Sequence, residues 1–338
     1  MGGGRVTIAS AAACVILAPP CEAAVAPMDY LHADGLMGAR ILPLTQGLLA
    51  VSAIVVVIIA ALVLVAIWRR GRGGAVAATS IMEGEATGWI SIGVGLSTLV
   101  LVGLVVWTSV TMARIANPPS EPALSIEVRG HQWWWEFVYL NDDPSKTFVT
   151  ANEIHIPVGK PVRFALEGED VIHTFWVPSL GGKIQLIPGQ TNLTWLQADR
   201  PGVYRGQCSQ YCGQQHAHMI LTVFADPPDS FEAWREAQLR AASEPTSDDA
   251  RIGEQRFIER CGACHTVRGT RADGHVGPDL THLMSRTTIA AGDLPNNPGF
   301  LSGWIADPQS LKPGALMPDP ELSGPELASI RSFLVTLK

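Results

Sequence analysis

Residues 206–219 read GQCSQYCGQQHAHM, which sets Cys208 and Cys212 four apart, His216 four further on and Met219 three beyond that. These are soft donors. Structural zinc takes a closed set of cysteine and histidine and seldom a methionine, whereas thiolate, imidazole and thioether together select copper. A mononuclear blue-copper site uses a single cysteine. Two thiolates can instead each bridge two copper ions, and such a dicopper unit needs one more histidine and one further donor. His173, in EDVIHTFWVPSLGG, supplies the first, and the backbone carbonyl of Gln210 supplies the second. A disulfide between Cys208 and Cys212 is the competing reading. His218 is expected to point away, because adjacent residues in extended chain face opposite sides. His131 and His155 lack ligand partners in the sequence and read as surface or core residues.

A second motif, Cys261-Gly262-Ala263-Cys264-His265, is the C-x-x-C-H pattern of covalent c-type haem attachment. Two thiols add to the two vinyl groups, and the histidine rises beneath the ring as an axial ligand. A zinc or thioredoxin-like cysteine pair is the alternative, but no second cysteine pair follows in this part of the chain. The sixth ligand of an electron carrier should be soft, since His/Met ligation favours reduced iron. Met317, in the proline-bounded loop LKPGALMPDP, is the expected ligand, and Met284, in LTHLMSR, is expected to fill the haem pocket. The segment Gly277-Pro278-Asp279-Leu280 resembles the cytochrome c turn in which a proline carbonyl accepts a hydrogen bond from the proximal histidine. That resemblance gives Pro278 the task of fixing the His265 ring.

These motifs must be positioned by several units. The chain of 338 residues is 47% hydrophobic and only 16% charged, too apolar for an ordinary two-domain soluble protein. Leu48 to Trp68 and Trp89 to Ala113 are each long enough to cross a hydrocarbon core of about 30 Å as a helix, so residues 48–113 form an expected transmembrane hairpin. Arg69, Arg70 and Arg72 follow the first span, which by the positive-inside rule puts that loop in the cytoplasm and everything after Arg114 outside. Residues 1–24, with Arg5, an apolar stretch and Cys21-Glu22-Ala23-Ala24, read as a signal peptide, and 25–47 as a short outer segment. Cys14 and Cys21 fall in that leader, leaving four cysteines for the two motifs. From 120 to 225 short β-rich runs alternate with turn residues, suggesting an antiparallel sandwich or barrel. Residues 226–250 read as a terminal helix and a linker, and 251–338 as a small all-α domain whose first and last segments, RIGEQRFIERCGACH and SGPELASIRSFLVTLK, have helical spacing. The net charge of −7 argues against a nucleic-acid partner.

The block from Glu169 to Leu221 resembles the CuA domain of cytochrome c oxidase subunit II, GHQWWWEF resembles that family's aromatic strand, and the hairpin ahead of it matches too. A C-terminal cytochrome c marks the caa-type subclass. The resemblance implies a cupredoxin-like barrel held on the outer face of a bacterial inner membrane. It also implies a dinuclear copper centre and one haem c, an external donor such as a cytochrome, and partners in oxidase subunit I and subunit III. Electrons would pass from the haem through the copper centre to subunit I, where oxygen is reduced with proton pumping. Trp133 matches the tryptophan through which electrons reach the copper, with Trp134 and Trp135 alternating in and out on a strand. A nitric oxide or nitrous oxide reductase component is the alternative function. Where many relatives carry aspartate, arginine and glutamate, this chain has Gln185, Gln190 and Gln210. The resemblance therefore implies weakened magnesium binding at the subunit I boundary, and it leaves open whether Glu83 or Glu85 serves proton uptake.

Overall fold

The computed structural model describes residues 28–71 and 83–338. The expected leader and Arg72 lie outside these residues, and so do the side chains of Glu83 and Glu85. Helix α1 spans Leu36–Gly71 and α2 spans Glu83–Ile115. Their apolar windows reach mean hydropathies of 3.3 and 2.3. Leucine, isoleucine, valine and tryptophan are exposed all round both helices, the pattern of a helix that faces lipid rather than a polar solvent on one side. Helix α1 starts well before the apolar run at Leu48. At about 1.5 Å per residue it is longer than a bilayer core requires, and its first turns serve another purpose. Met37 is buried, Gly38 N donates to Leu180 O (3.0 Å) and Asp34 N donates to Ser179 O (2.8 Å). At the end of α2, Trp195 Nε1 donates to Ile115 O (2.8 Å). The hairpin thus ends in a seat for the β domain.

That domain contains β1 (Leu124–His131), β2 (Trp134–Leu140), β3 (Phe148–Ala151), β4 (Glu153–Pro157), β5 (Val162–Gly168), β6 (His173–Phe175), β7 (Ile184–Leu186), β8 (Asn192–Leu196), β9 (Gly202–Gln207) and β10 (Ile220–Asp226). One sheet runs β3-β2-β1-β5-β8 and the other β4-β10-β9, with β6-β7 as a separate pair. Alternating burial along the strands, as in β1 and β10, aims one face of each sheet into a shared core that includes Trp135, Phe137, Phe164 and Phe175. The expected antiparallel pattern holds for most pairs, but β1/β5 and β4/β10 are parallel. The chain leaves the first sheet after β3, forms β4 in the second, and returns as β5 on the free side of β1. This gives the cupredoxin-like, all-β build that the sequence suggested.

Helix α3 (Pro228–Leu239) follows, and a short coil leads to α4 (Asp248–Arg260). The last domain adds β11 (Thr288–Ile289), β12 (Leu294–Pro295), α5 (Pro298–Ala306), α6 (Pro308–Leu311) and α7 (Gly324–Leu334). Ser247 caps α4 by accepting from Ala250 N, and α4 crosses α7 over a core of Phe257, Ile330 and Phe333. The coil between α3 and α4 is tied down. Ala242 N donates to Arg268 O (2.9 Å), His282 Nε2 lies 3.1 Å from Arg240 O, and Arg268 bonds the Gln238 carbonyl. The two outer domains also meet directly. Buried Glu153 of β4 accepts from the amides of Thr287 (2.9 Å) and Thr288 (3.0 Å) and from both hydroxyls.

Candidate metal and haem centres

The loop from β9 to β10 carries Cys208, Cys212, His216 and Met219, and β6 brings His173 beside it. Cys208 N donates to Met219 O (3.0 Å), which closes the loop on itself. Cys208 Sγ is 3.8 Å from Cys212 Sγ, 3.9 Å from His173 Nδ1 and 3.2 Å from Gln210 O. On its other side Cys212 Sγ is 3.5 Å from His216 Nδ1 and 3.9 Å from Met219 Sδ. His173, Cys208, Cys212 and Met219 are buried. The sulfurs are free thiols, too far apart for a bond of about 2.05 Å, so the disulfide reading is not what this loop adopts. All six expected donors therefore converge on one spot.

The electrostatics suit cations there. The Cys212 thiol hydrogen-bonds Cys208 and draws its pKa down to about 4, while the same contact, with burial, pushes Cys212 far up. Two soft sulfurs 3.8 Å apart cannot both ionise cheaply without positive charge between them. Copper bound to this S, N and O set would supply that charge and a one-electron couple. The sequence reading missed Asp170. Its Oδ1 lies 2.7 Å from His173 Nε2, turning Nδ1 toward the cysteine. Burial lowers the pKa of His173, but Asp170 and Cys208 outweigh it and the net shift is upward. A carboxylate three residues before a ligand histidine was the available signal. Asp170→Asn is expected to weaken copper binding about 10- to 100-fold, as loss of an orienting partner does elsewhere. A chelator competition that gave wild-type affinity would refute that role.

Trp134 and Trp135 alternate on β2, half-exposed and buried, and Trp133 stands ahead of them. It occupies the turn between β1 and β2. From there Trp133 Nε1 (2.9 Å) and Gln132 Nε2 (2.7 Å) both donate to Cys212 O. Trp135 is buried in the core, and Trp134 stacks on His131 at 4.4 Å. Two of the remaining histidines have partners away from the sulfur cluster, whereas the buried Nε2 of His131 has no hydrogen-bond partner among the described residues. His155 is sandwiched between Phe224 and Trp234 and bonds Asp226, and His218 is turned outward to Asp293 at 2.9 Å. Of the three glutamines, Gln190 Nε2 donates to Asn192 Oδ1 (2.7 Å) and Asn192 Nδ2 donates to Gln185 O (2.7 Å). Gln210 is exposed and contributes its carbonyl to the sulfur cluster.

In the last domain a largely apolar cavity of about 230 Å³ is lined by Cys261, Cys264, His265, Pro278, Arg286 and Met317. His265 Nδ1 donates to Pro278 O at 2.8 Å, leaving Nε2 for a metal. Burial holds this ring below the ordinary histidine range, with the Pro278 carbonyl acting the other way. A Cβ at Gly277 would lie 2.6 Å from His265 Cε1, so glycine lets the turn approach the ring. Arg286 bonds the Asp279 carbonyl through one terminal nitrogen, and its buried Nε has no hydrogen-bond partner among the described residues. A haem fits: the thiols, the oriented histidine and the apolar walls match its ring, and the stranded guanidinium N–H matches a propionate. Met317 lines the cavity, and Gln309 Nε2 holds its carbonyl at 2.7 Å. Met284 does not line the cavity; its amide bonds Leu337 O and its side chain packs on the core. The pocket-filling expectation fails because the turn after Leu283 directs this residue toward the C-terminus. Gln132, Trp133, Trp134 and Asn152 of the β domain form part of the same cavity wall.

Comparison with known proteins agrees with this architecture. The family described as "Cytochrome C oxidase subunit II, periplasmic domain" matches residues 124–225, and "Cytochrome c" matches 250–338. The chain is 40% identical over 253 residues to cytochrome c oxidase subunit 2 of Alkalihalophilus pseudofirmus, covering 74% of this chain and 72% of that one. It is 31% identical over 291 residues to the Bacillus subtilis protein of the same name, covering 80% of each. The crystal structure of the periplasmic domain of cytochrome oxidase subunit II of Bradyrhizobium japonicum is 33% identical, covering 35% of this chain and 95% of that one with a TM-score of 0.33. The chain belongs to the cytochrome c oxidase subunit II family, with a cytochrome c domain fused at its C-terminus.

Proposed function

We propose that this chain receives electrons from an external donor at its cytochrome domain, moves them into its β domain, and delivers them to oxidase subunit I for oxygen reduction. The observation that carries the reading is the shared wall between the two centres. Trp133 lines the haem cavity and donates to the carbonyl of Cys212. In this reading Cys261 and Cys264 would anchor the haem, His265 and Met317 would hold its iron, and Pro278 fixes the histidine. Cys208, Cys212, His173, His216, Met219 and the Gln210 carbonyl would hold two coppers. Bound haem and copper supply the one-electron couples; the protein supplies soft donors, dry walls and a fixed spacing. Subunit III completes the complex.

The outer domains face the periplasm. Arg69 and Arg70 end α1 at the opposite extreme from the β domain, as the positive-inside rule requires for a cytoplasmic loop. The axial assignment separates two methionines. Met317→Leu is expected to abolish the methionine–iron absorption band, lower the haem potential and slow oxygen consumption, whereas Met284→Leu is expected to leave all three near wild type. The reverse outcome would move the ligand to Met284 and break the reading of the cavity. Absence of any electron flow from haem to copper in the wild-type complex would reject the proposed route.

A further inference from the structure

Resting on that route, we propose that Lys312 is a positioning residue that seats the cytochrome domain on the copper loop. The haem pocket would then be held against Trp133 rather than swinging on a tether. The Lys312 side chain is only 4% exposed. Its ammonium donates to three carbonyls, His218 O at 2.6 Å, Ala290 O at 2.9 Å and Trp133 O at 3.3 Å, and lies 3.5 Å from Asp293 Oδ2. Two of these carbonyls belong to the β domain, one on the copper loop and one on the tryptophan between the centres. The third carbonyl and the carboxylate belong to the cytochrome domain. A buried ammonium satisfied in this way joins four chain segments at one point, and taking it away removes the donor from three carbonyls and the cation from beside Asp293.

The surrounding contacts have the same direction. Pro313 O accepts from Gln215 Nε2 at 2.8 Å, and His218 Nδ1 meets Asp293 at 2.9 Å. A Cβ at Gly314, where φ is +83°, would lie 2.8 Å from Gln214 Oε1. Five residues after Lys312 stands Met317, so one short stretch touches the copper loop at one end and lines the haem cavity at the other. Opposite it, the β11–β12 hairpin holds Ala290, Ala291 and Gly292 successively at φ 53°, 59° and 88°. Two alanines in the left-handed region are strained. Here the Ala290 carbonyl is taken by Lys312 Nζ of the same domain and the Ala291 carbonyl by Ile220 N of the β domain at 3.1 Å. Together with the pinned coil after α3, these contacts replace the free linker that the sequence suggested with a built joint.

The test uses the assembled oxidase. Lys312→Met keeps length and apolar volume but donates nothing. Its electron transfer from haem to copper is expected to slow on the order of tenfold or more, since displacements of about 1 Å at positioned groups can cost a hundredfold. That step should also become dependent on solvent viscosity, because the domain must find its seat before each transfer. Amide exchange at Ile220, Thr287 and Thr288, whose hydrogen bonds cross the joint, should accelerate by at least about tenfold, the factor that one charge-assisted hydrogen bond carries. Haem and copper contents and the haem spectrum should stay unchanged. Wild-type exchange and a viscosity-independent wild-type rate in Lys312→Met would overturn the proposal. If that variant does not assemble, Asp293→Asn carries the same two measurements in the same directions, and wild-type behaviour in it is equally fatal. Should the wild type pass no electron from haem to copper, the functional reading fails, and amide exchange still decides whether Lys312 makes the joint.

Discussion

A Cys208→Ser chain is expected to lose both coppers and, with them, the passage of electrons to oxygen, while its haem stays in place. Cys208 Sγ is the hub of the site, within 4 Å of Cys212 Sγ, His173 Nδ1 and Gln210 O. The Cys212 thiol holds the Cys208 thiol well below the ordinary cysteine range, so this sulfur is the readier of the two to ionise. A serine hydroxyl at the same place stays protonated, is a hard donor, and cannot bridge two soft ions. Loss of an orienting partner alone costs about 10- to 100-fold in metal affinity, and removal of the bridging ligand should exceed that. The same contact, with burial, pushes the Cys212 thiol up, and since thiolate ligands shed their protons to bind metal, copper binding is expected to weaken as pH falls. The check is metal analysis of the purified oxidase, with copper counted per covalent haem and the mixed-valence signal recorded. Two coppers per haem in the serine variant would remove Cys208 from the ligand set.

The second large effect is on stability. Gly253→Ala is expected to destabilise the cytochrome domain by about 3 kcal/mol, the upper end of the usual cost of overpacking a core. A Cβ built at Gly253 of α4 would stand 1.9 Å from Ser329 O and 2.6 Å from its carbonyl carbon, both in the backbone of α7. No rotamer change relieves that contact. The two helices must separate, which loosens Phe257, Ile330 and Leu334, all of which line the haem cavity. For a domain of this size the loss corresponds to a fall in Tm of about 12 °C or more, readable in the full chain from the haem absorbance. Gly303→Ala is the control, since nothing lies within 4 Å of a Cβ there and alanine is the better helix former. Equal melting of the two variants would show that the α4–α7 crossing does not govern the domain.

The chemistry was readable from the sequence because most of it is local. Five of the six copper donors sit within one loop, and the haem thiols and histidine within five residues, so spacing alone exposes them. Apolar length betrayed the two membrane helices, and alternation betrayed the strands. What escaped depends on distant parts of the chain. The early start of α1 reflects packing of Met37 and Gly38 on the β domain, which no hydropathy window registers. Trp133 reads as part of an aromatic strand in GHQWWWEF, yet the turn between β1 and β2 claims it. Lys312 looks like an ordinary surface lysine in LKPGALMPDP. Its burial arises only when residues 133, 218, 290 and 293 have been brought to it.

The joint between the outer domains bears on any attempt to work with half of this chain. Pairing of β4 with β10 begins at Thr222, and at Ile220 the place beside β10 is taken by the carbonyl of Ala291. Cutting the chain in the coil before α4 would open that sheet edge, leaving the Ile220 amide without its acceptor and the Glu153 carboxylate without the four donors that surround it. Ile220, 7% exposed in the whole chain, would become an apolar side chain on an unprotected edge. Such an edge invites pairing between copies and aggregation. A truncated copper fragment should therefore be designed with a charged residue in place of Ile220, or be kept together with the hairpin that covers it.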